Sequence, residues 1–397
     1  MLSDVFGEAL VERAMIDLAV GIPCGGAIGF DRQRRGRPAG MRTCIIVGAR
    51  HVTACAARRH ARGARHGGHR ASQSNRRIRR HAPPDRPRLR RVPLLPGRRP
   101  SMTIPRFEDL YPLLPAEKMI IDGLGSGQFD VVEGGRRPGE DDRDHEVRAG
   151  FLRLLLIGAP GAPPIHEKGL RVAGALITGS LDLEGCRLQR DLGAVDCRFA
   201  AAPVLRSARI QTLFLDGSVL PGLLAERLEA RGDLMIRSAA IMGVLAIPGA
   251  RIGGALVLDG TGLRSEAPTA LDATGIEARG GVLLRDSRIS GGIQLVNSWL
   301  LGDLDATGAQ LAASEGPSII AAGADIRGDV QLRHAWIKGR ASFVGTRCKG
   351  DIDLTSAHLE STGGGAFDAD RAEIGGALIL RGEARIDGLL SLNGTRI

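Results

Sequence analysis

Apolar and polar residues alternate over short stretches throughout the C-terminal part of the chain, and these stretches recur every ten or eleven residues. The pattern G-x-L-x-L-x-x-A-x-I describes them. Clear copies cover residues 179–188, 232–241, 243–252, 254–263, 302–311, 328–337, 350–359 and 388–397. Alternation with a period of two predicts short β-strands that have one buried face and one exposed face.

One copy is too short to close a coil of β-strands, but two copies, about 21 to 22 residues, are enough. The last apolar position of the pattern recurs twenty times between Ile177 and Ile397, which predicts about ten coils. A unit this short buries its apolar face only by stacking on its neighbours. We therefore predict an all-β fold, a parallel β-helix solenoid over residues 167–397.

A longer period is superimposed on the short one. Leu263, Leu311 and Leu359 are 48 residues apart, and each is followed by a polar insertion: RSEAPTA, AASEGPS or ESTGGGA. Because 48 residues hold four half-turns, the three insertions are expected on the same edge of the solenoid at every second coil. Such a row of loops is either a binding surface or a set of tolerated surface insertions.

The residues before the solenoid have a different pattern. Residues 102–166 are predicted to form a small helical cap, with one helix in PAEKMIIDGL and a second in DDRDHEVRAGFLRLLLIG. The second helix would place Val147, Phe151, Leu154 and Leu155 on one face. GLGSG at residues 123–127 lacks the remaining positions of a phosphate-binding or dinucleotide-binding motif, so we interpret it as a turn.

Residues 1–101 form a basic head. They contain 22 Arg, no Lys and 6 acidic residues, a balance of +16, whereas residues 102–397 contain 32 basic and 38 acidic residues. With little apolar periodicity, the head is predicted to be disordered. Three interpretations remain: a basic arm for nucleic acid or a membrane, an Arg-rich targeting peptide, and an upstream segment of a GC-rich gene assigned to the protein by a wrong start. We favour the third, with Met102 as the start.

Cysteine, aromatic and apolar content limit the function classes. Cys186, Cys197 and Cys348 have neither CxxC spacing nor neighbouring ligand histidines, which favours a reducing cytoplasm and predicts no metal or cofactor. Aromatic residues make up only 3% of the chain. No apolar run reaches the length of a membrane-spanning helix.

Arginines supply the candidate binding residues. Arg187, Arg209, Arg227 and Arg251 each precede the last apolar residue of a half-turn, so they are expected to stack as a ladder over four coils. Such a ladder could bind an acidic protein partner or lipid headgroups. Residues 167–397 contain 25 basic and 27 acidic residues, which argues against specific nucleic-acid binding.

Acidic residues offer a weaker indication of chemistry. Asp182, Asp303, Asp305, Asp351 and Asp353 occupy outward positions of the pattern. Paired carboxylates on one face could act as general acid and base, or they could only keep the strands solvated. His334 and His358 lie in similar places but lack a third ligand at a suitable spacing.

The steps GCRL, GARI, GAQL and SAHL resemble those of pentapeptide-repeat proteins and related right-handed parallel β-helices, although the spacing here varies. More narrowly, RVAGALITGSLDLEGCRL, LFLDGSVLPGLLAERLEARGDLMI and GARIGGALVL resemble a bacterial group often labelled membrane-associated oxidoreductase. The resemblance covers some 290 residues from Met102. It implies right-handed coils and, through the group's label, a redox activity at a membrane.

Together these patterns predict a non-enzymatic scaffold or interaction module in the cytoplasm, peripheral to the inner membrane. The alternative is the membrane-associated oxidoreductase that the label implies. Because the chain stops at the end of a pattern copy, the last coil is also expected to present an open edge for end-to-end association.

Overall fold

The fold is a parallel β-solenoid of about ten turns, as the sequence predicts. The computed structural model describes residues 46–47, 105–131 and 136–397. The chain winds through three parallel sheets, which we name A, B and C, in the order A, B, C and back to A. Some coils contribute two separate strands to sheet B, such as Val219–Leu220 and Leu223–Leu224. With one side in sheet A and one in sheet C, such a coil has four short sides.

Sheet A consists of Ile46–Val47, Asp130–Val131, Leu170–Ala173, Leu192–Val195, Leu213–Phe214, Leu234–Met235, Leu256–Val257, Val282–Leu283, Leu304–Asp305, Val330–Gln331, Ile352–Asp353 and Leu378–Leu380. Sheet B consists of Glu146–Arg148, Leu176–Thr178, Arg198–Phe199, Val219–Leu220, Leu223–Leu224, Ala240–Ile241, Leu245–Ala246, Gly262–Asp272, Arg288–Gln294, Gln310–Ile320, Trp336–Ser342, His358–Asp368 and Arg385–Ser391. Sheet C consists of Arg209–Ile210, Glu229–Ala230, Arg251–Ile252, Glu277–Ala278, Trp299–Leu300, Asp325–Ile326, Arg347–Cys348 and Glu373–Ile374.

The strand register explains both sequence periods. In sheet A, Leu234 pairs with Leu256 and Leu256 pairs with Val282, so consecutive coils contain 22 and 26 residues. The same alternation continues when Val282 pairs with Leu304 and Leu304 with Val330. One short and one long coil together give the 48-residue period. The longer coils contain the polar insertions.

Stacked apolar side chains fill the interior. Leu234, Leu256 and Val282 are buried, as are most inward residues of the coils. Phe343 and Phe367 stack inside adjacent coils with ring centroids 5.6 Å apart. Each buried Leu, Ile or Phe contributes roughly 1.5–3 kcal/mol, so stability is distributed along the rod.

Hydrogen bonds between coils explain why several pattern copies begin with Gly-Asp. The carboxylate of Asp329 accepts the backbone N–H of Asp351 at 2.8 Å, and that of Asp233 accepts the N–H of Ala255 at 2.7 Å. Each carboxylate lies against the glycine that begins the copy one coil later. A Cβ at Gly254 would overlap Asp233 Oδ1, so any other residue there would have to displace this carboxylate.

The cap contains two α-helices, α1 (Pro115–Gly123) and α2 (Ala149–Leu156), and two short 3₁₀ helices, Phe107–Leu110 and Arg143–His145. The prediction for α1 is confirmed. The predicted second helix is too long at its N-terminal end, because Glu146–Arg148 is a strand that pairs with Leu176–Thr178. Val147 is therefore a strand residue.

Hydrogen bonds to buried Glu117 explain why Glu146–Arg148 is a strand and not part of α2. Its carboxylate accepts hydrogen bonds from the backbone N–H of Arg148 at 3.0 Å and from the Arg148 guanidinium at 2.6 and 2.8 Å. These bonds hold Arg148 in an extended conformation at the residue before α2. Phe151 and Leu152 of α2 then pack into the same buried cluster as the first coil.

The predicted disordered head, residues 1–101, lies outside the described residues apart from Ile46–Val47, which pairs with Leu378–Leu380. The domain boundary at residue 102 stays a prediction.

Candidate functional site: a charged face of the solenoid

The outward side chains of sheet C form a long face, which we name the ladder face. Each short strand supplies one outward residue, then one inward apolar residue, and the residue after the strand points outward again. The first row contains Arg187, Arg209, Glu229, Arg251, Glu277, Trp299, Asp325, Arg347, Glu373 and Arg396. The second row contains Gln189, Gln211, Arg231, Gly253, Arg279, Leu301, Arg327, Lys349 and Gly375.

Charges of opposite sign alternate along much of the first row. Arg209 Nε lies 2.7 Å from Glu229 Oε2 in the next coil, and Arg251 Nε lies 3.4 Å from Glu277 Oε1. Arg347 and Arg396 lie 3.5 and 3.2 Å from the two carboxylate oxygens of Glu373. Because these pairs are exposed, each contributes little to stability, typically about 0.2–1 kcal/mol.

The second row contains basic residues and no acidic ones. Arg231, Arg279 and Arg327 recur every second coil, about 9.6 Å apart, and Lys349 follows Arg327 by one coil. Within the described part of the chain, Arg231, Arg279 and Lys349 have no carboxylate oxygen within 4.0 Å. Together the two rows contain nine basic and four acidic residues, so the ladder face carries a net positive charge.

A shallow groove of about 710 Å³ follows the first six coils of the ladder face. Five arginines and two glutamates line it, and Trp299 closes one end. Trp299 and its neighbour in the second row, Leu301, are 38% and 39% exposed. An exposed Trp beside an exposed Leu breaks the charged rows with a small apolar patch.

The four predicted arginines are not all in one row. Arg187, Arg209 and Arg251 occupy the first row, as expected from the sequence. Arg227 does not: it lies in the turn before sheet C, with a left-handed φ of 55°. The first-row residue of that coil is Glu229, which is aligned in the strand register with Arg209 of the preceding coil and Arg251 of the following coil. The continuous arginine ladder is therefore wrong at this coil.

The three insertions lie on one edge, as the 48-residue period predicts. They belong to the long strands Gly262–Asp272, Gln310–Ile320 and His358–Asp368 of sheet B, and shorter strands alternate with them. Leu263, Leu311 and Leu359 share one inward column with Ile289 and Ile337.

The outward aspartates have structural partners. Asp303 accepts the backbone N–H of Asp329 at 2.8 Å. Asp353 accepts the N–H and the hydroxyl of Thr355, and Asp182 accepts the N–H of Glu184 at 2.9 Å. Their positions are thus accounted for by turns and by bonds between coils.

The two histidines occupy different sides of their coils. His334 lies in the turn after sheet A with a φ of 55°, whereas His358 begins a strand of sheet B. Among the described residues, no three His, Cys, Asp or Glu side chains are grouped closely enough to hold a metal ion.

The described cysteines are free thiols. Burial raises the pKa of the Cys197 thiol to about 12 and that of Cys348 to about 11. Both thiols therefore stay protonated near neutral pH, whereas a redox-active cysteine acts as the thiolate.

Neither described helix has the length and apolarity needed to cross a bilayer. Comparisons with models of protein families, with curated proteins and with solved structures find no match to the chain.

Proposed function

We propose that the chain is an interaction module that binds anionic membrane surfaces through the ladder face. The observation that carries this proposal is the second row, in which basic residues recur without an acidic residue among them. Arg231, Arg279 and Lys349 are exposed and lack carboxylate partners among the described residues. Their charges are available to a ligand rather than neutralised within the fold.

The shape of the face supports a bilayer as the partner. From Arg187 to Arg396 the first row crosses nine coil spacings, or about 43 Å along a straight rod. A face of this length can place many weak contacts on a plane of headgroups at once. Arginine is well suited to this role because its guanidinium binds phosphate oxygens in a bidentate manner.

Trp299 and Leu301 fit the same partner. Tryptophan is enriched at membrane interfaces, where its ring contacts acyl chains and its indole N–H contacts headgroups. Both side chains lie midway along the rows, where they would meet the bilayer together with Arg279 and Arg327. A basic residue near an anionic bilayer contributes about 1 kcal/mol, so removing three should weaken binding roughly 100-fold.

Cosedimentation of the full chain with vesicles tests the proposal. We expect binding to vesicles that contain phosphatidylserine and little binding to pure phosphatidylcholine. The test variant replaces Arg231, Arg279 and Lys349 with Ser. Its matched control replaces Arg264, Arg288 and Arg381 with Ser, three exposed basic residues outside the ladder face that also have no carboxylate partner among the described residues.

The proposal requires the test variant to lose most of its binding and the control to keep it. Equal losses in the two variants would point to net charge alone and would contradict a specific face. Binding to an acidic protein or to duplex DNA, with none to anionic vesicles, would also contradict the proposal.

A further inference from the structure

A slot of about 420 Å³ opens in sheet B between the second and third insertions, and we name it the loop slot. Residues 312–318 form one wall and residues 360–366 the other. The floor is the strand Trp336–Ser342 of the coil between them, which has no insertion. The loop slot lies on a different sheet from the ladder face.

The strand register shows that both walls extend beyond the floor. Ala312 pairs with Lys338, but the next paired wall residue is Pro317, which faces Arg340. On the other wall the pairing moves from Glu360 directly to Phe367. Residues 313–316 and 361–366 therefore have no facing residue in the floor strand.

The width of the slot follows from the strand spacing. The walls belong to coils that are two steps apart, so their backbones are separated by about 9.6 Å, twice the distance between paired strands. One strand is missing between them. An extended chain placed there would lie about 4.8 Å from each wall, at hydrogen-bonding distance from both.

The floor is basic. Lys338 and Arg340 are exposed, and within the described residues neither has a carboxylate oxygen within 4.0 Å. Each wall contains one acidic residue: Glu360 lines the slot, whereas exposed Glu315 of the other wall is not among the residues that line it. Ser314 and Ser361 add hydroxyl groups to the walls.

An aromatic ring lies at one end of the floor. Trp336 points outward from the same strand, two residues before Lys338, and is 50% exposed. Its ring stacks on His358 with centroids 6.3 Å apart, and His358 Nε2 lies 3.2 Å from Asp387. These contacts orient the indole ring as an apolar surface at the end of the floor strand that precedes Lys338 and Arg340.

We propose that the loop slot binds an extended acidic segment of a partner protein, which enters as an additional β-strand. The backbone of the segment would pair with the two walls, as peptides do when they extend a sheet edge. Its acidic side chains would bind Lys338 and Arg340, and an apolar side chain would pack on Trp336. A strand is favoured over a small anion because residues 313–316 and 361–366, at the spacing of a sheet, have no partner in the floor strand.

The full chain with Trp299→Phe provides the assay, because Trp336 is then its only tryptophan. The probe is a synthetic peptide of alternating Glu and Val, since main-chain pairing tolerates many sequences. We expect a saturable change in Trp336 emission. Lys338→Glu together with Arg340→Glu should weaken binding about tenfold or more. The matched pair Arg264→Glu and Arg381→Glu lies outside the loop slot and the ladder face, and both arginines are exposed and lack a carboxylate partner among the described residues, so it should change binding less than about twofold.

Two further reagents test strand pairing itself. Gly363→Phe should block the slot, since a Cβ at Gly363 meets no atom within 4 Å and the larger ring would fill the open space. Gly363→Ala is its control. A peptide with alternate N-methylated amides keeps its charge but loses backbone donors, so it should bind about tenfold more weakly.

Three results would overturn the proposal: no saturable binding up to about 1 mM peptide, the weakest affinity that such a surface would show; equal binding of the N-methylated peptide; or complete competition by inorganic phosphate, which would make the slot an anion site.

Discussion

Replacing Gly254 and Asp233, singly and together, tests the bonding that we infer between coils. Asp233 Oδ1 accepts the N–H of Ala255 at 2.7 Å, and this carboxylate occupies the space where a Cβ of Gly254 would lie. Asp233→Ala removes the acceptor and leaves the Ala255 N–H without its partner. The loss of a hydrogen bond to a charged group costs about 1.5–3 kcal/mol.

Gly254→Ala should cost a similar amount by a different route. The backbone of Gly254 is outside the left-handed region, so alanine can adopt its conformation. Alanine also lowers the conformational entropy of the unfolded chain, which by itself would raise the free energy of unfolding by about 0.4–1 kcal/mol. The new Cβ must nevertheless displace the carboxylate of Asp233, which breaks the same hydrogen bond. We expect a net loss of about 1–2 kcal/mol in the free energy of unfolding.

The double variant distinguishes a shared mechanism from two separate ones. In the Asp233→Ala background the carboxylate is absent, and the nearest backbone atom to the new Cβ is Asp233 N at 3.1 Å. The second substitution should then add little, which gives a coupling free energy of about 1 kcal/mol or more. Asp233→Asn keeps an oxygen acceptor and should lose less than Asp233→Ala.

The assay combines urea unfolding, followed by circular dichroism, with hydrogen exchange of the peptide that contains Ala255. Local exchange is needed because coils of a solenoid can open separately. Gly363→Ala is the control, since it introduces a Cβ into open space. Costs that add to within about 0.5 kcal/mol in the double variant would refute the reasoning.

Three other predictions concern the core, the thiols and the last coil. Phe343→Ala should cost about 3–5 kcal/mol by leaving a cavity beside Phe367, measured as a lower urea midpoint. Iodoacetamide at pH 8.5 should label partly exposed Cys186, whereas Cys197 should react only after denaturation, because burial raises the Cys197 pKa to about 12. Peptide mapping measures the labelling of each cysteine. The unfolded state releases that proton above about pH 8.5, so the contribution of this thiol to stability falls as pH rises further. The Ser391 hydroxyl and the backbone N–H of residue 393 lower the Asp370 pKa, so this carboxylate stabilises the last coil above about pH 4 and ceases to do so as pH falls through its folded-state pKa. The melting temperature of Asp370→Asn should therefore depend less on pH between 3 and 5 than that of the wild type.

The solenoid could be predicted because its pattern repeats. Twenty copies of one apolar position average out local exceptions, and the 48-residue period that locates the insertions equals one coil of 22 and one of 26 residues. The cap offered no repeat. There the apolar positions 147 and 151 fit a helix, but the bond from Arg148 to Glu117, 31 residues away, makes Glu146–Arg148 a strand.

The candidate site was predicted only in part. In LAERLEA the inward residue of sheet C is Ala230, yet the larger Leu228 is the stronger apolar signal. Leu228 is also buried, at the preceding turn, so sequence spacing does not distinguish Leu228 from Ala230 as the inward residue. For this reason the spacing predicts Arg227, and not Glu229, in the first row. The second row was missed altogether. Its signal was nevertheless present, because Arg231, Arg279 and Arg327 recur at the same 48-residue interval as the insertions.

The loop slot was beyond sequence reasoning for a different reason. The period locates the three insertions on one edge, but it does not show which gap is open or what lies on its floor. Lys338 and Arg340 line the second gap only because the register sets the strand Trp336–Ser342 between two long strands.

The two tryptophans allow a direct test of the central claim that the ladder face meets an anionic bilayer. Trp299 is on the ladder face and Trp336 is on sheet B, so Trp336→Phe and Trp299→Phe each leave one reporter. The measurement is quenching of each single tryptophan by brominated lipids in vesicles that contain phosphatidylserine. We expect strong quenching of Trp299 and little quenching of Trp336. Quenching of Trp336 alone, equal quenching of both, or quenching of neither would contradict it.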